Sequence, residues 1–178
     1  MKGRRKTGTR IGILLLSVLL VFGMVGTVNA ANKTVTIGVI AQLTGPYGPP
    51  TRGIMEGVLD VIEAVNKYDP IPGITLKGVF VDGASSPAKA MSACKKMVAQ
   101  HNPVVVLDWT TPSALALKSY FIKKEIPCVT GGGANPLWEM PSWSFSATAP
   151  YVNQVGGWVD YYVKNIWPKK GLNRKPNF

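Results

Sequence analysis

Residues 34–65 read TVTIGVIAQLTGPYGPPTRGIMEGVLDVIEAV, and their reading decides the fold. Thr34 to Ile40 is a β-branched run long enough for one buried strand. Gly45, Pro46, Gly48, Pro49 and Pro50 follow, and the expectation is a rigid non-helical loop, because proline fixes φ and removes a donor. Past Thr51 the apolar period changes. Ile54, Val58, Val61, Ile62 and Val65 recur at helical spacing, which predicts one buried stripe. Strand, loop and returning helix make the first half of a βαβ unit. Loops at the carboxyl ends of such strands border the ligand crevice, so recognition is expected near residues 44–52.

Working outward, the pattern repeats. Asp69 to Gly73 breaks the helix and Ile74 to Asp82 alternates like a strand. Ser86-Pro87 predicts the next helix start, with Met91, Cys94, Met97 and Val98 as its buried stripe as far as His101. Val104 to Leu107 is wholly apolar, as a strand covered on both faces should be. Thr111-Pro112 repeats the helix start, with Leu115, Leu117, Phe121 and Ile122 as its stripe. Ile126 to Thr130 predicts a fourth strand before Gly131-Gly132-Gly133-Ala134. A short strand is expected at Trp143 to Ser146, and Val152, Val155, Val159, Tyr162 and Ile166 mark a last helix. The fold class is therefore α/β: a doubly wound, mainly parallel sheet with helices on both faces.

The net charge of +11 resembles a nucleic-acid footprint until it is located. Five of the twenty basic residues lie among the first ten positions, and five more lie between Lys164 and Lys175. The ten that remain face nine acidic residues, so no basic face exists to neutralise phosphates, and nucleic acid is excluded as a partner. Residues 1–30 read as an export signal, a cationic start and an apolar run from Ile11 to Val25 ending in Val28-Asn29-Ala30. An uncleaved anchor is the alternative. No cysteine lies near this segment, which disfavours a lipid anchor. Export permits a disulfide between Cys94 and Cys128, but both positions also suit buried small hydrophobes.

Several chemistries are absent. The first βα turn carries prolines where pyrophosphate would need N–H donors, and no glycine loop runs into Lys-Ser or Lys-Thr. One histidine and two separated cysteines make no zinc site, and neither metal nor cofactor is expected. A secreted serine hydrolase would need His101 as its base, but that residue is placed at the amino edge of the sheet. No G-x-S-x-G elbow is present, and Asp82 and Asp108 stand on separate strands. What the carboxyl-edge loops do offer is Thr44, Tyr47, Trp109, Thr110, Thr111, Thr130, Gly132 and Gly133. Hydroxyls, helix N-terminal amides and aromatic rings suit a small polar or zwitterionic ligand. Thr111 also fits a plain N-cap, the glycines a plain turn, and Trp109 a core position.

In order along the chain, TIGVIAQLTGPYG, GVLDVIEAVN and VFVDGASSPAKAMSACKKMV, preceded by an export signal, resemble the branched-chain amino-acid binding proteins of ABC importers. The resemblance runs from residue 35 to about 160. It implies the type I periplasmic binding fold, two lobes closing on a ligand at their hinge. It places the ligand-carboxylate contact at Thr111 with Thr110 beside it, and the contacts of the fourth loop at Gly132 and Ala134. Family members often carry a hydroxyl where Ala134 stands, and the Pro-Pro of the first loop departs from the pattern around Tyr47. The implied partners are a small ligand and a membrane permease, and the complete protein is expected to be a monomer outside the cytoplasm. The expected organisation is a signal over 1–30, a ligand-binding lobe over 31–160, and over 161–178 a crossover toward a second lobe that the sequence lacks, as in a truncated chain. A sensor for amides or urea is the alternative function.

Overall fold

The computed structural model describes residues 32–68, 71–146 and 148–171. The export signal read in residues 1–30 lies outside them, as does the end of the expected crossover. Five strands, β1 (Lys33–Ala41), β2 (Ile74–Asp82), β3 (Val105–Asp108), β4 (Cys128–Thr130) and β5 (Ser144–Ser146), form one sheet in the order β2-β1-β3-β4-β5. Every neighbouring pair is parallel. The connections are α1 (Gly48–Tyr68), α2 (Pro87–His101) and α3 (Thr111–Lys124). A last helix, α4 (Tyr151–Tyr161), runs on through a π-turn and a short 3-10 turn to Lys170.

This order reverses direction between β1 and β3. The carboxyl ends of those two strands therefore diverge into separate loops and leave a crevice between them. Pairing of Ile40 with Asp108 and of Ala41 with Asp82 brings the three loop starts to one edge.

The principal core lies between the sheet and the pair α2–α3. Ile40 of β1, Val106 of β3 and Cys128 of β4 meet Ala90, Cys94, Met97, Leu117 and Phe121 there, all at most 1% exposed. Full burial of one such larger apolar side chain stabilises by roughly 1.5–3 kcal/mol. Cys94 and Cys128 are both buried and free, so they fill space as apolar residues and form no bridge. Burial pushes the Cys94 thiol up to about 12, helped by the nearby Asp108 carboxyl, and raises Cys128 likewise.

Local expectations are corrected in three of the helices. The Gly48-Pro49-Pro50 segment is the first turn of α1 and not a loop before it. Proline costs nothing there, because the first-turn N–H groups have no helical partner. Of the predicted α1 stripe, Ile62 is buried while Val61 is 61% exposed, since it points away from the sheet. The N-cap of α3 is Thr110, one residue earlier than Thr111-Pro112 suggested. Its inward face is Ser113, Ala114, Leu117 and Phe121, which leaves Leu115 exposed. Finally, α4 buries none of its residues. Its apolar period is real, but no other described element covers Val152, Val155, Trp158 or Tyr161.

Candidate functional site

Gln42, the residue after β1, is 1% exposed and holds three loops together. Its main-chain oxygen accepts from Thr51 Oγ1 at 2.7 Å, which fixes the first turn of α1. Its side-chain Oε1 accepts from the Ser85 amide at 2.7 Å, in the loop after β2. Its Nε2 donates to Thr110 Oγ1 and Ser113 Oγ, each at 3.4 Å, at the start of α3. Gly83 makes this approach possible, because a Cβ there would lie 2.6 Å from the Gln42 amide.

The second loop is wound tightly around these bonds. Ala84 and Ser85 both take left-handed φ values, 50° and 52°, which costs an L-residue about 1 kcal/mol or more each. Asp82 offsets part of that. One of its oxygens accepts from the amides of Ala84 (2.7 Å) and Leu43 (2.9 Å), and the other from Thr44 Oγ1 (2.8 Å). Burial alone would raise its carboxyl, but these bonds outweigh burial and hold it below the ordinary value. Ser85 Oγ completes the clamp by donating to the Thr44 carbonyl and accepting from the Tyr47 amide.

At the end of β3, Asp108 is wholly buried. Ser113 Oγ lies 2.7 and 2.6 Å from its two oxygens, and the Thr110 amide donates to one of them at 3.1 Å. Burial raises this carboxyl to about 6, against the opposing pull of the bonds from Ser113 and Thr110. Asp108 therefore occupies the underside of the α3 N-terminus, where the helix dipole favours an anion. Thr110 spends its hydroxyl in the same buried cluster, 2.5 Å from Ser113 Oγ. Thr111 alone of the two threonines turns outward, and its Oγ1 meets Tyr151 Oη at 2.9 Å and the Gly133 amide at 3.3 Å.

A groove of about 390 Å³ opens above these residues, between α1 and the start of α3. Tyr47, Pro50, Thr51, Ile54, Trp109, Thr110, Thr111, Pro112 and Tyr151 line it, and none of them carries a formal charge. It offers the Thr111 hydroxyl together with the rings of Tyr47, Trp109 and Tyr151. A larger groove of about 520 Å³ runs along α2 between Lys89 and Lys96. It is shallow, lies away from the switch point, and the carboxylate beside it, Asp82, is already satisfied within its own loops.

Of the residues singled out from sequence, Tyr47, Trp109, Thr110 and Thr111 come together in the groove. Gly132, Gly133 and Ala134 do not line it. The Gly132 amide donates to Thr130 Oγ1 at 2.9 Å, and a Cβ at Gly133 would collide with the Tyr151 ring. Close approach at these glycines is thus made by the protein's own side chains. The Trp109 indole nitrogen is buried without a hydrogen-bond partner. His101 ends α2 on the surface and does not line the groove. Sequence reasoning missed Gln42, Ser113 and Tyr151. Gln42 carried a signal in retrospect, a lone amide between an apolar strand and a turn.

The model of a family described as periplasmic binding protein matches residues 34–170. A Leu/Ile/Val-binding protein homolog of Brucella melitensis is 28% identical over 162 residues, covering 90% of this chain and 44% of that protein. Among solved structures, a branched-chain amino acid ABC transporter protein from Thermus thermophilus with bound valine superposes with a TM-score of 0.71 at 22% identity. It covers 76% of this chain and 36% of that one. A solute-binding protein of an ABC transporter from Rhodopseudomonas palustris, in complex with 3,4-dihydroxybenzoic acid, gives 0.60 at 17% identity, covering 75% and 37%. The chain spans less than half the length of each of these relatives. The family is one of binding proteins, which sets the hydrolase alternative aside. Sheet order, switch-point groove and the family match over 34–170 agree, and the chain belongs to the periplasmic binding protein family.

Proposed function

We propose that this lobe forms one wall of the ligand cleft of an extracytoplasmic substrate-binding component of an ABC importer, taking a small amino acid, branched-chain or related. The observation that carries the reading is the uncharged groove at the β1/β3 switch point, with Thr111 at the start of α3 aimed into it. A ligand carboxylate would meet the Thr111 hydroxyl and the first-turn amides of α3, and an apolar tail would lie against Ile54, Tyr47 and Trp109. The relatives named for leucine, isoleucine and valine support this choice of ligand. A membrane permease is the partner in this reading, and hinge closure against a second lobe would exclude water from the ligand.

A second reading keeps the role and changes the ligand to an aromatic carboxylate. The three rings of Tyr47, Trp109 and Tyr151 favour it, as does the absence of any acidic group in the groove for an ammonium. The benzoic-acid complex among the structural relatives supports it also. Both readings are tested by titrating the chain with L-leucine, L-valine and 3,4-dihydroxybenzoate. One open wall leaves a ligand half solvated, so affinity in the millimolar range is expected, equivalent to about −4 kcal/mol. The tightest of the three names the ligand class. Absence of binding by all three at millimolar concentration would reject the reading, and micromolar binding would make the single lobe a self-sufficient site.

A further inference from the structure

We infer that Tyr151 is a positioning residue for this groove, whose phenol fixes the direction of the Thr111 proton so that the site selects ligands through an acceptor-only group, a carboxylate. The inference rests on the reading of the groove as a ligand site and goes beyond it by assigning what sets the polarity of its central hydroxyl.

A threonine hydroxyl has one proton and two lone pairs. Thr111 Oγ1 lies 3.3 Å from the Gly133 amide, which can only donate, so one lone pair is filled. Tyr151 Oη lies at 2.9 Å, and a phenol is a stronger donor than an aliphatic alcohol. With Tyr151 donating, the second lone pair is filled as well. The Thr111 proton then has nowhere to point but the groove. The hydroxyl is presented as a donor, polarised by two donors behind it, and chains of this kind strengthen each bond in them. A carboxylate meets that proton with a full acceptor charge, whereas an ammonium or amine finds no lone pair left.

The seat of Tyr151 is consistent with this role and with little else. The residue is 49% exposed, so core burial does not hold it. Its amide donates to the Gly133 carbonyl at 2.9 Å, and its ring lies over Gly133, where any Cβ would collide. Main chain, ring and hydroxyl are thus all fixed by the two loops that carry the site. Being the first residue of α4, Tyr151 reaches Thr111 across forty residues of sequence.

The test is a double-mutant cycle on the chain, read by NMR titration with L-leucine and 3,4-dihydroxybenzoate as carboxylates and 3-methylbutylamine as the donor-only control. Tyr151→Phe keeps the ring and removes the donor, and it is expected to weaken carboxylate binding about three- to tenfold. In a Thr111→Val background the same change is expected to have no measurable effect, because Tyr151 acts through that hydroxyl. The amine is expected not to bind wild type. An equal loss in both backgrounds would overturn the inference, marking Tyr151 as a direct contact or a mere loop support, and so would no loss in either. If wild type binds neither carboxylate, the proposed function falls and this inference with it. If it binds and the cycle is additive, only the inference falls.

Discussion

The free energy of unfolding is expected to fall by roughly 2–3 kcal/mol between pH 4 and pH 7 on account of Asp108 alone. Burial raises this carboxyl from 3.8 to about 6, with the bonds from Ser113 and Thr110 only partly opposing it. The folded state therefore holds this proton more tightly than the unfolded chain does. The stabilisation is complete below the unfolded value of 3.8 and is lost as pH rises through about 6. A gap of about two pH units, at about 1.4 kcal/mol each, sets the size. Asp82 works in the opposite sense, since its carboxyl is lowered, and its contribution is lost mainly below 3.8, so it touches only the acid end of this window. The two buried thiols stay neutral throughout, being raised further by burial. Denaturant unfolding across the range, compared between wild type and Asp108→Asn, isolates the effect. The variant keeps a partner for Ser113 and should lose this slope. Equal slopes in the two proteins would mean that the Asp108 carboxyl is not held out of water.

Thr111→Val is expected to weaken ligand binding by roughly 1.5–3 kcal/mol, or about ten- to a hundredfold, in a receptor that carries both walls of the cleft. The hydroxyl is the outward-turned donor at the start of α3, and the neighbouring Thr110 cannot replace it because its own hydroxyl is spent on the Asp108 cluster. Valine keeps the shape and removes the donor, leaving a charged acceptor unpaired. Titration calorimetry of the folded variant measures the loss. Unchanged affinity would remove Thr111 from the site, and a lowered melting temperature by itself would leave it only a structural role at the helix start.

The parts of the fold that were legible are those written in local chemistry. Ser86-Pro87 starts α2 where it reads as a start, because a capping hydroxyl and a first-turn proline are both local. The bounds of β2, Ile74–Asp82, follow equally from a break and an alternation. Where proline has two meanings, the reading went wrong: Pro49 and Pro50 suit a loop and a first helical turn alike. The exposed stripe of α4 illustrates a different limit, since a helical period states which face is apolar and nothing about what covers it.

The site was half legible for a similar reason. Tyr47 lies in the loop after β1 and Thr111 in the first turn of the helix after β3, positions that follow from strand order, so counting strands places them at the crevice. The side chains of Gln42 and Tyr151 act by bonds to residues between 40 and 71 positions away, and no spacing in the sequence records such a meeting. The carboxyl of Asp108 was visible as a lone acid at a strand end, but its burial beneath α3 is a property of the packed lobe.

The most direct test of the account is amide chemical-shift mapping of the chain as ligand is added, using the tightest of L-leucine, L-valine and 3,4-dihydroxybenzoate. Binding at the switch point predicts that the largest shifts gather at Tyr47, Thr51, Trp109, Thr111 and Tyr151, the residues of the groove between α1 and α3. Largest shifts along α2, at Lys89, Ser92 and Lys96, would place the ligand in the other groove and contradict the account.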